Sequence, residues 1–375
     1  MNRLLFILFL SFSFTSTLLV PDEFPTIQEA IDYSINGDTI LVEPNIYYVD
    51  LDINEKNITI TSRFIFSNDQ NDIEETILYH NGESGAGGVF RIEYSDVNLR
   101  GLTIEGSDDD NVNIAGGILS LSSNTNVENC VIKNHSVSDS GAAIASIYPG
   151  SLTVKNSLIY DNEALFIGGI YSTYDVNILI LNSTITNNIS ALGYDTGGDY
   201  HCGGVLCWDC ESSIIVNSII TDNYPNDLSF WFNDSVDNFV LSNSIINSPI
   251  NHYDSSPNIF LYDNLLGDPL FENDSNYRLS IDSPCIDTGI NYFEWNGDII
   301  LDMNIDDYIG SAPDMGLFEF SYGDLNNDGE VNIFDIIILV NLVFNSEYNE
   351  SGDINGDGIL NITDCILLVN LILDN

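Results

Sequence analysis

Val127-Glu128-Asn129-Cys130-Val131-Ile132 returns along the chain four times. The copies are Val154-Lys155-Asn156-Ser157-Leu158-Ile159, Ile180-Leu181-Asn182-Ser183-Thr184-Ile185, Ile215-Val216-Asn217-Ser218-Ile219-Ile220 and Leu241-Ser242-Asn243-Ser244-Ile245-Ile246. Their asparagines stand 27, 26, 35 and 26 positions apart. A second marker, Gly117-Ile118, Ala143-Ile144, Gly169-Ile170 and Gly204-Val205, advances by 26, 26 and 35. Two markers that share one period and one jump describe stacked coils with a single long insertion. Short β-branched stretches bounded by Asn, Gly and Ser make each coil a set of short strands. The pattern predicts a mainly β fold, a right-handed parallel β-helix in which apolar side chains stack in columns from coil to coil. The recurring asparagine is expected at a bend, with its amide bonded to the next asparagine in a structural ladder.

A solenoid has open edges that need covering. Pro25-Thr26-Ile27-Gln28-Glu29-Ala30-Ile31 reads as a capping box, Thr26 with Glu29, opening a short helix that lids the first coil. From Pro21 through Ile40-Leu41-Val42 to Ile58-Thr59-Ile60 the chain resembles the opening of pectin-lyase-like β-helix proteins. Gly267-Asp268-Pro269-Leu270-Phe271, Ser283-Pro284-Cys285-Ile286-Asp287-Thr288-Gly289 and Pro313-Asp314-Met315-Gly316-Leu317-Phe318-Glu319-Phe320 resemble closing segments of secreted β-helix proteins. The resemblance spans 21–320 and implies a fold rather than a reaction, since this superfold hosts lyases, hydrolases, esterases and inert adhesins.

Two twelve-residue loops follow, 29 positions apart. The first runs from Asp324 to Asp335 and the second from Asp353 to Asp364, each followed by an apolar helix, Ile336 to Phe344 and Cys365 to Leu373. Oxygen side chains fall at loop positions 1, 3, 5, 9 and 12, and a glycine at position 6 permits the sharp turn that a hard cation needs. The expected calcium ligands are Asp324, Asn326, Asp328, Glu330, Asn332 and Asp335, then Asp353, Asn355, Asp357, Ile359, Asn361 and Asp364. Loop then helix, twice, resembles a dockerin, a small all-α calcium-binding domain placed at 322–375. That resemblance implies a cohesin-type partner, contacted in this sequence at Ile333, Phe334, Val340, Asn341, Ile362, Thr363, Val369 and Asn370. These residues depart from the hydroxyl and Lys-Arg pattern of the well-known cellulosomal type, which leaves the partner's identity open.

Residues 1–20 read as an export signal: Arg3, an apolar core from Leu4 to Phe14, then small polar residues before Pro21. The apolar run is short for a membrane span, and no later stretch qualifies. Acidic residues number 57 against 8 basic ones, a formal charge of −49. Such a surface repels nucleic acid and anionic membranes and favours divalent cations. A hydrophobic share of 44% nevertheless marks a folded chain. Cys202, Cys207 and Cys210 cluster beside His201, which suits a disulfide within the cluster or a zinc site. Cys130, Cys285 and Cys365 read as small buried residues.

Catalytic chemistry is less legible. After the signal only Lys56, Arg63, Arg91, Arg100, Lys133, Lys155 and Arg278 are basic, too few for the basic cluster that lyases of this fold use. Hydrolases would need paired carboxylates, and the insertion that stretches one coil offers Asp195 and Asp199, with Asp209 just beyond. The resulting expectation is an exported carbohydrate-active or carbohydrate-binding β-helix, tethered by its calcium-dependent C-terminal domain in polysaccharide catabolism. The competing expectation is a non-catalytic surface or adhesive protein.

Overall fold

The structure, a computed structural model, describes residues 15–81, 87–106, 114–192, 201–231, 238–252, 258–273, 276–326, 331–349 and 351–374. Among these residues the chain winds into three long parallel sheets of ten, nine and eight strands, a parallel β-helix. One coil illustrates the path. Ile118–Leu121 lies in the eight-stranded sheet, Asn124–Glu128 in the ten-stranded sheet and Val131–Lys133 in the nine-stranded sheet. The next coil then begins at Ile144, paired in parallel with Ile118.

Alternation along each strand sends every second side chain inward, and parallel register stacks those side chains in columns. In the ten-stranded sheet one column runs Leu18, Ile40, Ile60, Leu99, Val127, Val154, Ile180, Ile215 and Leu241. All nine are buried. Coils approach so closely that a Cβ on Gly169 would lie 2.3 Å from the Gly204 carbonyl oxygen. The recurring Gly-Ile marker is therefore a spacing device.

The bends obey one rule. A residue with positive φ turns the chain, and the next side chain, buried, ties the coils together. Asn129, Asn156, Asn182, Asn217 and Asn243 are the turning residues, with φ of 53, 47, 45, 50 and 44°. Asparagine suits that left-handed region better than most side chains. They do not form the expected ladder. The following residues do: the Cys130 N–H donates to Ser157 Oγ, Ser157 to Ser183, Ser183 to Ser218 and Ser218 to Ser244, at 3.0–3.3 Å. An asparagine ladder exists one bend later, where the backbone and side-chain amides of Asn162 donate to Asn188 Oδ1, and those of Asn188 to Asn223 Oδ1. Asp227 Oδ1 closes it by accepting from Asn223.

Helix α1, Ile27–Tyr33, lids the first coil with Ile27, Ala30 and Ile31 buried in the core. Thr26 Oγ1 accepts from the Glu29 N–H at 3.2 Å. Lys56 Nζ donates to the carbonyls of Asp32 and Ser34 at the far end of the helix. Thr17–Val20 forms the first strand of the ten-stranded sheet, with Leu18 and Val20 buried. The β-helix thus begins ahead of the expected boundary at Pro21, because the apolar Leu-Leu-Val run completes the first column. The rest of the expected signal, residues 1–14, lies outside the described residues.

The closing segment reads back along the asparagine bends. Asn217 Nδ2 donates to the Ile290 carbonyl and its Oδ1 accepts from the Ile290 N–H, while Asn243 Nδ2 donates to the Thr288 carbonyl. After short helices α2, Phe64–Ser67, and α3, Gln70–Glu74, the chain has two longer ones at its end. These are α4, Ile333–Asn345, and α5, Ile362–Asp374, packed on each other through Leu339 and Leu368. Both start three residues earlier than the sequence predicts, because Asn332 and Asn361 cap them by accepting from Phe334 and Thr363. Among the described residues no helix is long and apolar enough to cross a membrane.

Candidate functional site

The two twelve-residue loops are built around carboxylates that double as helix starts. Asp335 Oδ1 accepts from the Leu325 and Asn326 N–H groups and its Oδ2 from Asn332. Asp364 repeats this with Asn355 and Asn361. Asp353 Oδ2 accepts from Gly358 at 2.7 Å, and Asp357 Oδ1 from Ile359 at 2.9 Å. Gly356 and Gly358, at φ +68 and +77°, turn the second loop. Asp328 and Glu330 lie outside the described residues.

Asp324, Asp335, Asp353 and Asp364 are buried, the second and fourth fully, and residues 322–375 contain no lysine or arginine. Burying a carboxylate costs several kcal/mol unless a cation compensates it. A carboxylate offers about four lone-pair directions, so acceptance from loop amides leaves oxygen capacity facing inward. The donor set, carboxylates with amide and backbone oxygens, fits calcium. Among the described residues no three acid, imidazole or thiol groups converge.

On the helices, α4 exposes Ile333, Phe334, Ile337 and Phe344, and α5 exposes Ile362, Ile366 and Leu373. Shifted by 29 positions, Ile333, Ile337 and Phe344 map onto those three. Val340 and Val369 are half-buried, and Val340 packs in the small core.

The β-helix carries a cleft of about 510 Å³ that the sequence did not announce. Its floor is the nine-stranded sheet at Thr103, Val131 and Leu158, and the bend amides of Asn129 and Asn156 open into it. Helix α3 and the closing segment form its walls, and Asn326 of the first twelve-residue loop reaches its rim. Lys133 and Arg278 line it, two of the chain's few bases. Lys133 Nζ lies 3.6 Å from Glu105, and Arg278 lies over the Phe318 ring at 4.2 Å. Burial pushes the Arg278 pKa down, opposed by the charges of Asp324, Glu272 and Glu74. Burial and the charges of Asp161, Glu105 and Glu74 push Tyr160 up to about 12, so it stays a neutral phenol. Scarcity was the available signal: in so acidic a chain, any base is worth placing.

Of the expected acid–base residues only Asp209 is described. Asp195 and Asp199 lie outside the described residues. Asp209 is a bend residue at φ +57°, its N–H bonded to the Trp231 carbonyl. It directly follows the strand Val205–Trp208. Asp209-Cys210 simply follows the bend rule, with Cys210 as the buried partner. Cys207 and Cys210 are bonded to each other and Cys202 is a buried free thiol. Of the two readings of the cluster, the disulfide is formed and the three-thiolate zinc site is not. Cys130, Cys285 and Cys365 are buried free cysteines. The remaining bases are engaged: Arg63 with Glu43, Arg91 with Glu93, and Arg100 and Lys155 both with Glu128.

Residues 322–373 match the dockerin type I domain, and the chain therefore carries that domain behind a parallel β-helix. No curated protein matches the chain. Among solved structures it is similar to a deglycosylated pectin methylesterase from Aspergillus niger, 15% identical, covering 72% of this chain and 90% of that one with a TM-score of 0.41. It is also similar to a pectate lyase, 13% identical, covering 83% of this chain and 98% of that one with a TM-score of 0.33.

Proposed function

We propose that this is an exported, polysaccharide-handling β-helix protein plugged into a cohesin-type module by its C-terminal domain. The observation that carries this reading is the pair of apolar faces on α4 and α5, hung from loops whose buried carboxylates need a divalent cation. Calcium would be held by Asp324, Asn326, Asp328, Glu330, Asn332 and Asp335, and by Asp353, Asn355, Asp357, Ile359, Asn361 and Asp364. Bound there, it supplies the charge that lets those loops close. The loops then fix both helix starts, and Ile333, Phe334 and Ile337 with Ile362 and Ile366 stand ready as a greasy plug. The leader would be cut before Thr17, since a later cut removes the first strand.

For the β-helix, the cleft with its two open asparagine amides suits a hydroxyl-rich chain better than it suits bond cleavage. Arg63, Arg91, Arg100, Lys133 and Lys155 each lie against a glutamate. Binding is therefore placed ahead of hydrolysis, with the 193–200 loop as the remaining place for an acid–base pair. The test has two arms. Immobilised cohesin modules should capture the purified protein in calcium and release it in chelator; capture that survives chelator refutes the tether. A polysaccharide panel, read for both retention and new reducing ends, should give retention without cleavage. New reducing ends that persist after Asp195→Asn, Asp199→Asn and Asp209→Asn would establish an enzyme with its site elsewhere.

A further inference from the structure

The bend asparagines of the β-helix form one column, and what faces them changes along it. Asn129, Asn156, Asn182, Asn217 and Asn243 stand at equivalent positions of successive coils, because the strands before them pair in register. The last three lie under the closing segment. Asn243 Nδ2 donates to the Thr288 carbonyl at 3.2 Å, and Asn217 exchanges a donor and an acceptor with Ile290 at 2.8 and 2.9 Å. Asn182 Nδ2 faces Met303 Sδ at 3.6 Å. One coil below Asn129 the column is shut as well: the position is Gly101, where a Cβ would lie 2.7 Å from Phe64 Cβ of α2. Only Asn129 and Asn156 of the column open into the cleft of about 510 Å³. Both are half-buried and have no side-chain hydrogen bond among the described residues.

We infer that Asn129 and Asn156 read two consecutive units of a neutral, 1,4-linked sugar chain, each amide gripping the vicinal 2,3-diol of one unit. This rests on the polysaccharide reading of the cleft. Asn217 shows what a side-chain amide at this bend exchanges with a chain laid across it: its Nδ2 gives one hydrogen bond and its Oδ1 takes one. Two neighbouring hydroxyls return that pattern, one accepting and the other donating. Coils follow each other at about 4.8 Å, close to the advance of an extended 1,4-linked chain per sugar, so one unit falls to each asparagine. Charge selects against a polyanion. In the lining Asp69 and Glu74 balance Lys133 and Arg278. Lys133 leans on Glu105 and Arg278 on Phe318, and the whole chain carries a formal charge of −49.

The test uses the whole protein in calcium and reads the binding of soluble hexasaccharides by calorimetry. A 1,4-linked glucan hexaose should bind. A 1,3-linked glucan hexaose, which keeps the 2,3-diol only at its terminal unit, should bind about tenfold more weakly, and so should a 1,4-linked hexagalacturonate because of its charge. N129G and N156G keep the left-handed bend, which glycine adopts freely, and remove one amide each. Each should weaken glucan binding about tenfold and the pair should abolish it, while N182G, under the closing segment, should leave it unchanged. The inference is overturned, with the polysaccharide reading left standing, by undiminished binding in the N129G/N156G pair, by tighter binding of the hexagalacturonate, or by equal binding of the 1,3-linked chain. If the pair does not fold, the unaltered protein decides. A glucan hexaose whose diols are opened by periodate and reduced by borohydride should lose affinity, and equal affinity overturns the inference. Binding of none of these saccharides, together with no retention on the polysaccharide panel, would remove the inference and the reading alike.

Discussion

The β-helix and the C-terminal domain are both made of repeats, yet each solves a different shortage. Each coil of the β-helix lacks a core of its own and gains one from its neighbours, through columns such as Ile60, Leu99, Val127 and Val154 and through bends tied by serine and asparagine. The two loop-helix repeats have no such column. Their buried core is Leu339, Cys365 and Leu368 with partly buried neighbours, and they enclose four buried acids. The first region is held by geometry repeated many times, and the second, on the calcium reading proposed above, takes a cation from outside. Stacked order should therefore be indifferent to chelation and sensitive to bend chemistry, and the loop domain the reverse.

The sharpest way to break that contrast is chelation of the whole protein. Far-UV circular dichroism should lose the signal of α4 and α5 while the strand signal and its melting stay in place, and Asp324→Ala with Asp353→Ala should imitate the chelator. Helix that persists without divalent ions would erase the distinction. A smaller effect separates the two kinds of bend residue. Asn188→Leu strips two donors and an acceptor from the buried ladder and should destabilise by about 1–3 kcal/mol. Asn182→Gly only relaxes a left-handed bend and should stay within about 1 kcal/mol; equal losses in denaturant melts would contradict the rule.

A milder test concerns pH at the closing segment. Burial first, and then the neighbouring Asp314 charge, push Glu319 up to about 7, while burial pushes Asp314 up to about 6. Both acids hold protons longer in the folded chain than in the unfolded one. Their contribution is full below the ordinary carboxylate range and is lost as pH climbs toward 7. The β-helix should melt a few degrees lower at pH 8 than at pH 5, and Glu319→Gln should flatten that slope; a rising slope would show that other carboxylates dominate. Smallest of all, Lys155→Ala should cost under about 0.5 kcal/mol, because its partner Glu128 at 3.7 Å keeps Arg100.

Period and jump made the solenoid legible, since stacked coils write their spacing directly into the sequence. The ladder was misread for a definite reason. Asn129, Asn156, Asn182 and Asn217 recur at the same step as the serines that follow them, so periodicity alone cannot say which member turns the chain and which is buried. Asn162, Asn188 and Asn223 repeat with 26 and 35 as well. The two loops were readable because each carries its oxygen side chains within twelve consecutive residues. The cleft was not, because Thr103, Asn156, Arg278 and Asn326 meet only after more than two hundred residues have been wound. Asp209, singled out for standing just beyond the insertion, is also a bend residue by its backbone angle.

The 35-residue coil leaves every partner in register: Ile170 still meets Val205, Ile180 meets Ile215 and Ile185 meets Ile220. The bends therefore act as the molecule's ruler, and the chain length between Ser190 and Cys202 does not enter the measurement. Foreign peptides spliced at that place would be carried on the flank of the rod without disturbing the coils beneath, which makes the site a natural socket for display.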